Sequence, residues 1–154
     1  LNEPFLHFMR TGRPLVTLKT AITLDGKISA PDDNTGWITS TRARAHVQEL
    51  SHDSDAILTG IGTVLADDPM LTDRTERPLS RPLLRIVMDS QLRLPLDGRM
   101  ALSANHDLVL VTTSASSSAR RKLAKDRGID GLVLDGPGGS ADIRSVVEWM
   151  GRGQ

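Results

Sequence analysis

The sequence contains no cysteine, which excludes disulfides, thiolate metal ligands and cysteine nucleophiles. It has no tyrosine, two phenylalanines and two tryptophans. That is too little for the stacking platforms that hold single-stranded nucleic acid. Lysine plus arginine equals aspartate plus glutamate, at 19 each. A net charge of zero argues against a surface built to neutralise nucleic acid or to lie on an anionic membrane. No apolar run approaches membrane-spanning length and no signal peptide opens the chain, so the expected compartment is the cytoplasm. The four histidines, His7, His46, His52 and His106, lack metal-ligand spacing, and no metal site is expected. A G-x-S-x-G elbow and a P-loop are both missing. Asp67 and Asp68 are adjacent and do not aim at one point as an acid dyad must.

What is present suits one domain. The chain has 154 residues, 38% hydrophobic and 25% charged, enough to bury a core and stay soluble. Asn2 to Gly12 predicts a short helix with Phe5, Phe8 and Met9 on one face. Leu15 to Ala21 is rich in β-formers and predicts a first strand containing Lys19. Asp25-Gly26 predicts a turn and Lys27 to Ser29 a short returning strand. A polar loop leads to Trp37. Ser40 predicts the cap of a helix reaching Ser51, with Ala43, Val47 and Leu50 inward. Strands are expected at Leu83 to Asp89, Leu108 to Thr113 and Leu132 to Leu134. Helices are expected at Ser116 to Arg127 and from Ser140 or Asp142 onward. This alternation predicts an α/β fold with a largely parallel sheet.

The stretch Ser54 to Thr72 organises the rest. Ala56 to Leu58 suits a buried strand. Gly60 and Gly62 remove two side chains where it ends, so the backbone can approach a ligand closely. Thr63 to Ala66 starts a helical turn. Asp68 before Pro69 is expected to be extended, which ends that helix. Amides and a carboxylate at such a corner suit a nucleotide, but Gly-x-Gly without a third glycine is no dinucleotide fingerprint. The run Arg120-Arg121-Lys122 with Lys125 reads as a solvated helix face.

Four motifs come in order. They are Leu18-Lys19-Thr20-Ala21 with Leu24-Asp25-Gly26-Lys27-Ile28; Trp37-Ile38-Thr39-Ser40; Asp55 to Thr72; and Arg85-Ile86-Val87-Met88-Asp89-Ser90. Together they resemble the reductase domain of the bifunctional riboflavin-biosynthesis deaminase/reductase, strongly over residues 2–99. The resemblance implies a dihydrofolate-reductase-like α/β fold, a central mostly parallel sheet flanked by helices. It implies that NADPH gives a hydride to C1′ of the ribosyl group of 5-amino-6-(5-phosphoribosylamino)uracil, opening it to the ribityl chain. By motif position, Ala21, Trp37, Thr63, Asp67 and Ser90 match cofactor contacts. Thr35, Leu71 and Arg74 match substrate contacts, with Arg74 the phosphate partner. Lys19 is the catalytic candidate, placed to polarise the opened sugar or its imine. A homodimer is also implied. Residues 1–13 match the linker after a deaminase domain, and residues 14–154 the reductase domain without its C-terminal part. No cysteine and no H-x-E means no zinc deaminase within these residues.

Two departures stand out. Ser51 occupies a position where the family usually has a substrate-binding arginine. The family's later strand, cofactor-phosphate glycine turn and acidic substrate ligand are absent, and Gly136-Pro137-Gly138-Gly139 is not that turn. With these departures, two other readings remain open: a related NAD(P)H reductase acting on another pterin or pyrimidine, and a catalytically silent nucleotide-binding module. With the phosphate glycines elsewhere, Gly60 and Gly62 are expected to let the backbone pass close to the cofactor, not to cradle phosphate.

Overall fold

The computed structural model describes residues 2–28 and 38–152. Thr35, Trp37 and Ser29 lie outside the described residues. Four strands form one parallel sheet in the order β1 (Ala56–Gly60), β2 (Leu84–Met88), β3 (Leu108–Thr112), β4 (Asp130–Val133). Parallel neighbours need crossovers. These carry α3 (Ile61–Asp67), α4 (Arg99–Leu102) and α5 (Ser118–Lys125), and α6 (Ile143–Gly151) follows β4. Two more helices precede the sheet, α1 (Glu3–Thr11) and α2 (Thr41–His52).

Alternation along β2 and β3 sends side chains to both faces. Val87, Leu108 and Leu110 meet Ile61 and Val64 of α3, Met100 and Ala101 of α4 and Ala124 of α5. Ile86 and Val111 meet Val146 of α6, with Trp149 and Met150 beside it. The sheet is thus covered on both faces, as a parallel sheet requires. This is the expected dihydrofolate-reductase-like architecture, a parallel α/β sheet flanked by helices. Among the described residues no helix is long and apolar enough to cross a membrane.

Local chemistry sets the helix boundaries. Ser40 accepts the Ala43 N–H at the start of α2, Ser117 the Arg120 N–H at α5, and Asp142 the Arg144 and Ser145 N–H groups at α6. Gly12 closes α1 in the left-handed conformation (φ 64°). Its carbonyl lies so close to Gly151 that a side chain there has no room. Arg13 pairs with Glu148 at 3.3 Å, so the end of α1 is seated on α6.

Four expectations are corrected, the first being the short returning strand, since Lys27 and Ile28 are not in a strand. Residues 15–21 do not form a strand, and Leu18 is 85% exposed. No strand lies beside them among the described residues, and β-propensity without a neighbour does not make a strand. Asp68 is not extended. It takes the left-handed conformation (φ 39°, ψ 52°), which also satisfies the exclusion of right-handed helix before proline. The apolar face of α2 is not buried, and Leu50 remains exposed. The Asp25-Gly26 turn forms as expected, with the Thr23 N–H donating to Lys27 O at 2.8 Å.

Candidate functional site

Open α/β sheets bind ligands beyond the carboxyl ends of their strands. Here that edge is built by Gly60, Asp89-Ser90 and Thr112-Thr113. The Asp89 carboxylate is fully buried and accepts N–H bonds from Arg93 (2.9 Å) and Leu94 (2.8 Å), folding the loop back over the sheet. Ser90 is held from two sides. Its carbonyl accepts the Thr112 and Thr113 hydroxyls at 3.0 Å each, and its Oγ accepts the Ala141 N–H at 2.9 Å. The Ser90 hydroxyl keeps its own proton to donate.

The second feature is the corner after α3. Asp68 reaches across 31 residues and accepts the Arg99 N–H at 3.0 Å, capping α4 where Gly98 has no side chain to do so. The Met70 carbonyl accepts from Arg85 Nη1 at 2.9 Å. Arg85 is 1% exposed and also donates to Ser103 Oγ (2.9 Å), Ser103 O (3.0 Å) and Asp107 Oδ1 (2.8 Å). Burial pushes the Asp107 carboxyl up, but the hydrogen bonds from Arg85 and Asn105 and the guanidinium charge leave it below its ordinary value. Leu71 follows at φ 53°, an uncommon conformation for a branched side chain. It lines a cleft of about 580 Å³ together with Leu83, Arg85 and Asp107.

Beyond Leu71 the chain is tied to α2. Asp73 Oδ2 lies 3.0 Å from His52 Nδ1 and accepts the Thr75 hydroxyl at 2.9 Å, while Oδ1 accepts the Thr75 N–H at 3.1 Å. The bond from His52 is the main reason the Asp73 carboxyl lies below its ordinary value; burial opposes it and the Thr75 bonds add to it. Gln48 Oε1 accepts the Arg74 N–H at 3.2 Å. Arg77 pairs with Glu49 at 2.6 Å.

The sequence candidates are therefore brought together only in part. Thr63 and Asp67 lie exposed on α3, and Leu71 and Arg74 lie on the pinned corner that follows. Ser90 stands past the carboxyl end of β2, whereas the cleft at Leu71 is formed at the amino ends of β2 and β3. Lys19 and Ala21 lie on the irregular arm of residues 15–22. Among the described residues no hydrogen bond or ion pair joins that arm to α3 or to the corner. Arg85, His52 and Asp73 are organising residues, a role the motif reading gave to none of them. A cation inside the apolar run Leu84 to Met88 was the available signal for Arg85, because such a charge needs buried partners. Among the described residues no cluster of potential ligands could hold a metal ion.

The family described as "RibD C-terminal domain" matches residues 14–154. The riboflavin biosynthesis protein RibD of Actinobacillus pleuropneumoniae is 37% identical over 154 residues, covering 100% of this chain and 40% of that protein. Among solved structures, Acinetobacter baumannii RibD superposes with a TM-score of 0.80 at 29% identity, covering 99% of this chain and 40% of that one. A Thermotoga maritima protein titled diaminohydroxyphosphoribosylaminopyrimidine deaminase/5-amino-6-(5-phosphoribosylamino)uracil reductase does so at 0.74 and 27%, covering 97% and 39%. The chain thus spans about two fifths of the length of these relatives. With its parallel sheet, its pinned corner and these likenesses, the chain belongs to the RibD C-terminal domain family, the reductase region of riboflavin-biosynthesis proteins.

Proposed function

We propose that the chain is the NADPH-dependent reductase unit that converts the ribosyl group of 5-amino-6-(5-phosphoribosylamino)uracil to ribityl. Residues 14–154 form part of that unit, residues 1–13 are the linker from a preceding deaminase domain, and the working form is a homodimer. The observation that carries the reading is the corner from Asp68 to Arg74. Its backbone is fixed from α2 and β2 and its Asp68 side chain is tied to α4, yet none of the hydrogen bonds or ion pairs among the described residues engages the Arg74 guanidinium. A guanidinium held at the surface by its backbone suits a phosphate, which it binds in a fork.

Residues on α3 and at the carboxyl end of the sheet fit a nucleotide cofactor. A Cβ built on Gly60 or Gly62 meets nothing within 4 Å, so a ligand can reach the backbone there. The Thr63 hydroxyl and Asp67 carboxylate are exposed and unengaged among the described residues, and Ser90 can donate a proton. Thr63, Asp67 and Ser90, with Ala21 and Trp37, would hold NADPH, which supplies the hydride when bound. Thr35, Leu71 and Arg74 orient the substrate, and Lys19 polarises the opened sugar at C1′.

A second reading, a reductase for another pterin or pyrimidine, draws on Ser51. Its hydroxyl donates to Val47 O at 2.9 Å, so the end of α2 presents no cation where the family usually has arginine. The test follows NADPH oxidation by the full-length protein with 5-amino-6-(5-phosphoribosylamino)uracil, alongside tryptophan-fluorescence titration with NADPH. One ribityl product per NADPH is expected. Cofactor binding with turnover only on a different pterin or pyrimidine favours the second reading, and no NADPH binding removes both.

A further inference from the structure

We propose that His52 is a positioning residue for Arg74: the end of α2 aims the cation that meets the substrate phosphate. This rests on the reading of Arg74 just given.

Gln48 and His52 are four residues apart on α2 and so share one face. Both reach the same tripeptide. Gln48 Oε1 takes the Arg74 N–H at 3.2 Å, and His52 Nδ1 lies 3.0 Å from Asp73 Oδ2 and 3.0 Å from Thr75 Oγ1. Asp73 in turn takes the Thr75 N–H and hydroxyl, which closes a turn with Arg74 at its centre. The backbone of Arg74 is thereby gripped on both sides while its side chain stays exposed.

The His52–Asp73 pair is also shielded. Its side chains are 15% and 7% exposed, against 48% and 54% for Arg77–Glu49 on the same helix. A shielded hydrogen-bonded pair holds geometry, whereas exposed pairs contribute little. Arg77–Glu49 closes the outside of this joint and does not touch Arg74. Ser51 is folded back on its own helix and supplies no charge. The substrate-directed cation of this region is therefore on the loop, and α2 acts through it.

The test compares two isosteric changes in the full-length protein. His52→Asn keeps an N–H in the place of Nδ1; His52→Gln fills the space but moves its amide to the place of Nε2. KM and kcat are measured for the phosphorylated substrate and for its dephosphorylated form, with Arg74→Ala as reference. His52→Gln is expected to raise KM for the phosphorylated substrate roughly tenfold, as loss of one charge-assisted hydrogen bond implies. The kcat, the KM for NADPH and the KM for the dephosphorylated form stay within about twofold. His52→Asn restores the KM to within about threefold, and His52→Gln adds nothing to Arg74→Ala in the double variant. Equal KM values for the Asn and Gln variants, or equal loss on both substrate forms, overturn the positioning role while leaving the Arg74 reading intact. An unchanged KM in Arg74→Ala removes that reading and this inference with it.

Discussion

Arg85 and Lys19 are both cations inside short β-prone runs, one at Leu84–Met88 and one at residues 15–21. The first run lies between two parallel neighbours and buries its cation at 1% exposure against four acceptors. The second has no neighbouring strand among the described residues, and Leu18 and Lys19 lie in the open. The same local composition has opposite fates because a strand is defined by what it pairs with and packs on. Arg85 serves the framework: it joins β2, the approach to β3 and the corner that carries Leu71. Among the described residues Lys19 makes no hydrogen bond or ion pair to the framework, and the proposed function gives it a role in the chemistry instead.

The largest expected effect on stability breaks the first half of this contrast. Arg85→Leu leaves Asp107 without its partner and the Met70 and Ser103 carbonyls without donors, and should cost about 3–5 kcal/mol in denaturant unfolding. Arg85→Lys should recover only part of this, since an ammonium cannot fork to four acceptors. A loss under about 1 kcal/mol in Arg85→Leu would mean that the hub is dispensable.

Next in size is a matched pair of truncations. Ile86 is fully buried and Ile86→Ala should destabilise by about 2–5 kcal/mol. Leu18 is 85% exposed and Leu18→Ala should change stability by no more than about 0.5 kcal/mol. Comparable losses at both sites would show that the arm packs onto the framework.

Smaller still is a pH effect. The Asp107 carboxyl lies below its ordinary 3.8 in the folded protein. It therefore contributes stability that is present in full above that value and is lost as pH falls through the lower folded value. Unfolding free energy measured from pH 6 downward should decline in this acid window. The decline should be shallower in Asp107→Asn, which cannot take up the proton.

Much of this framework was legible in the sequence for physical reasons. Ser40 and Asp142 announce their helices because a short oxygen side chain satisfies free N–H groups at a helix start. The runs at β2 and β3 are apolar because both faces of the sheet are covered. Other features were not legible because their causes are distant in sequence. Helix α4 is capped by Asp68, 31 residues away. The clamp of His52 on Asp73 spans 21 residues and follows no local period. Ser90 reads as a motif serine, yet its Oγ also staples the loop before α6 through Ala141, 51 residues on. The arm failed as a strand because propensity is local and pairing is not. Thr35 and Trp37 fall outside the described residues, and their roles rest on motif position alone.

The most direct test of the division between framework and chemistry is Lys19→Ala in the full-length protein, with unfolding, NADPH binding and turnover measured on one preparation. Stability is expected to stay within about 0.5 kcal/mol of the parent, NADPH affinity to be unaltered, and turnover to fall by about a hundredfold or more, as loss of a polarising group implies. Unaltered turnover, or an equal loss of cofactor binding and turnover, would contradict that division.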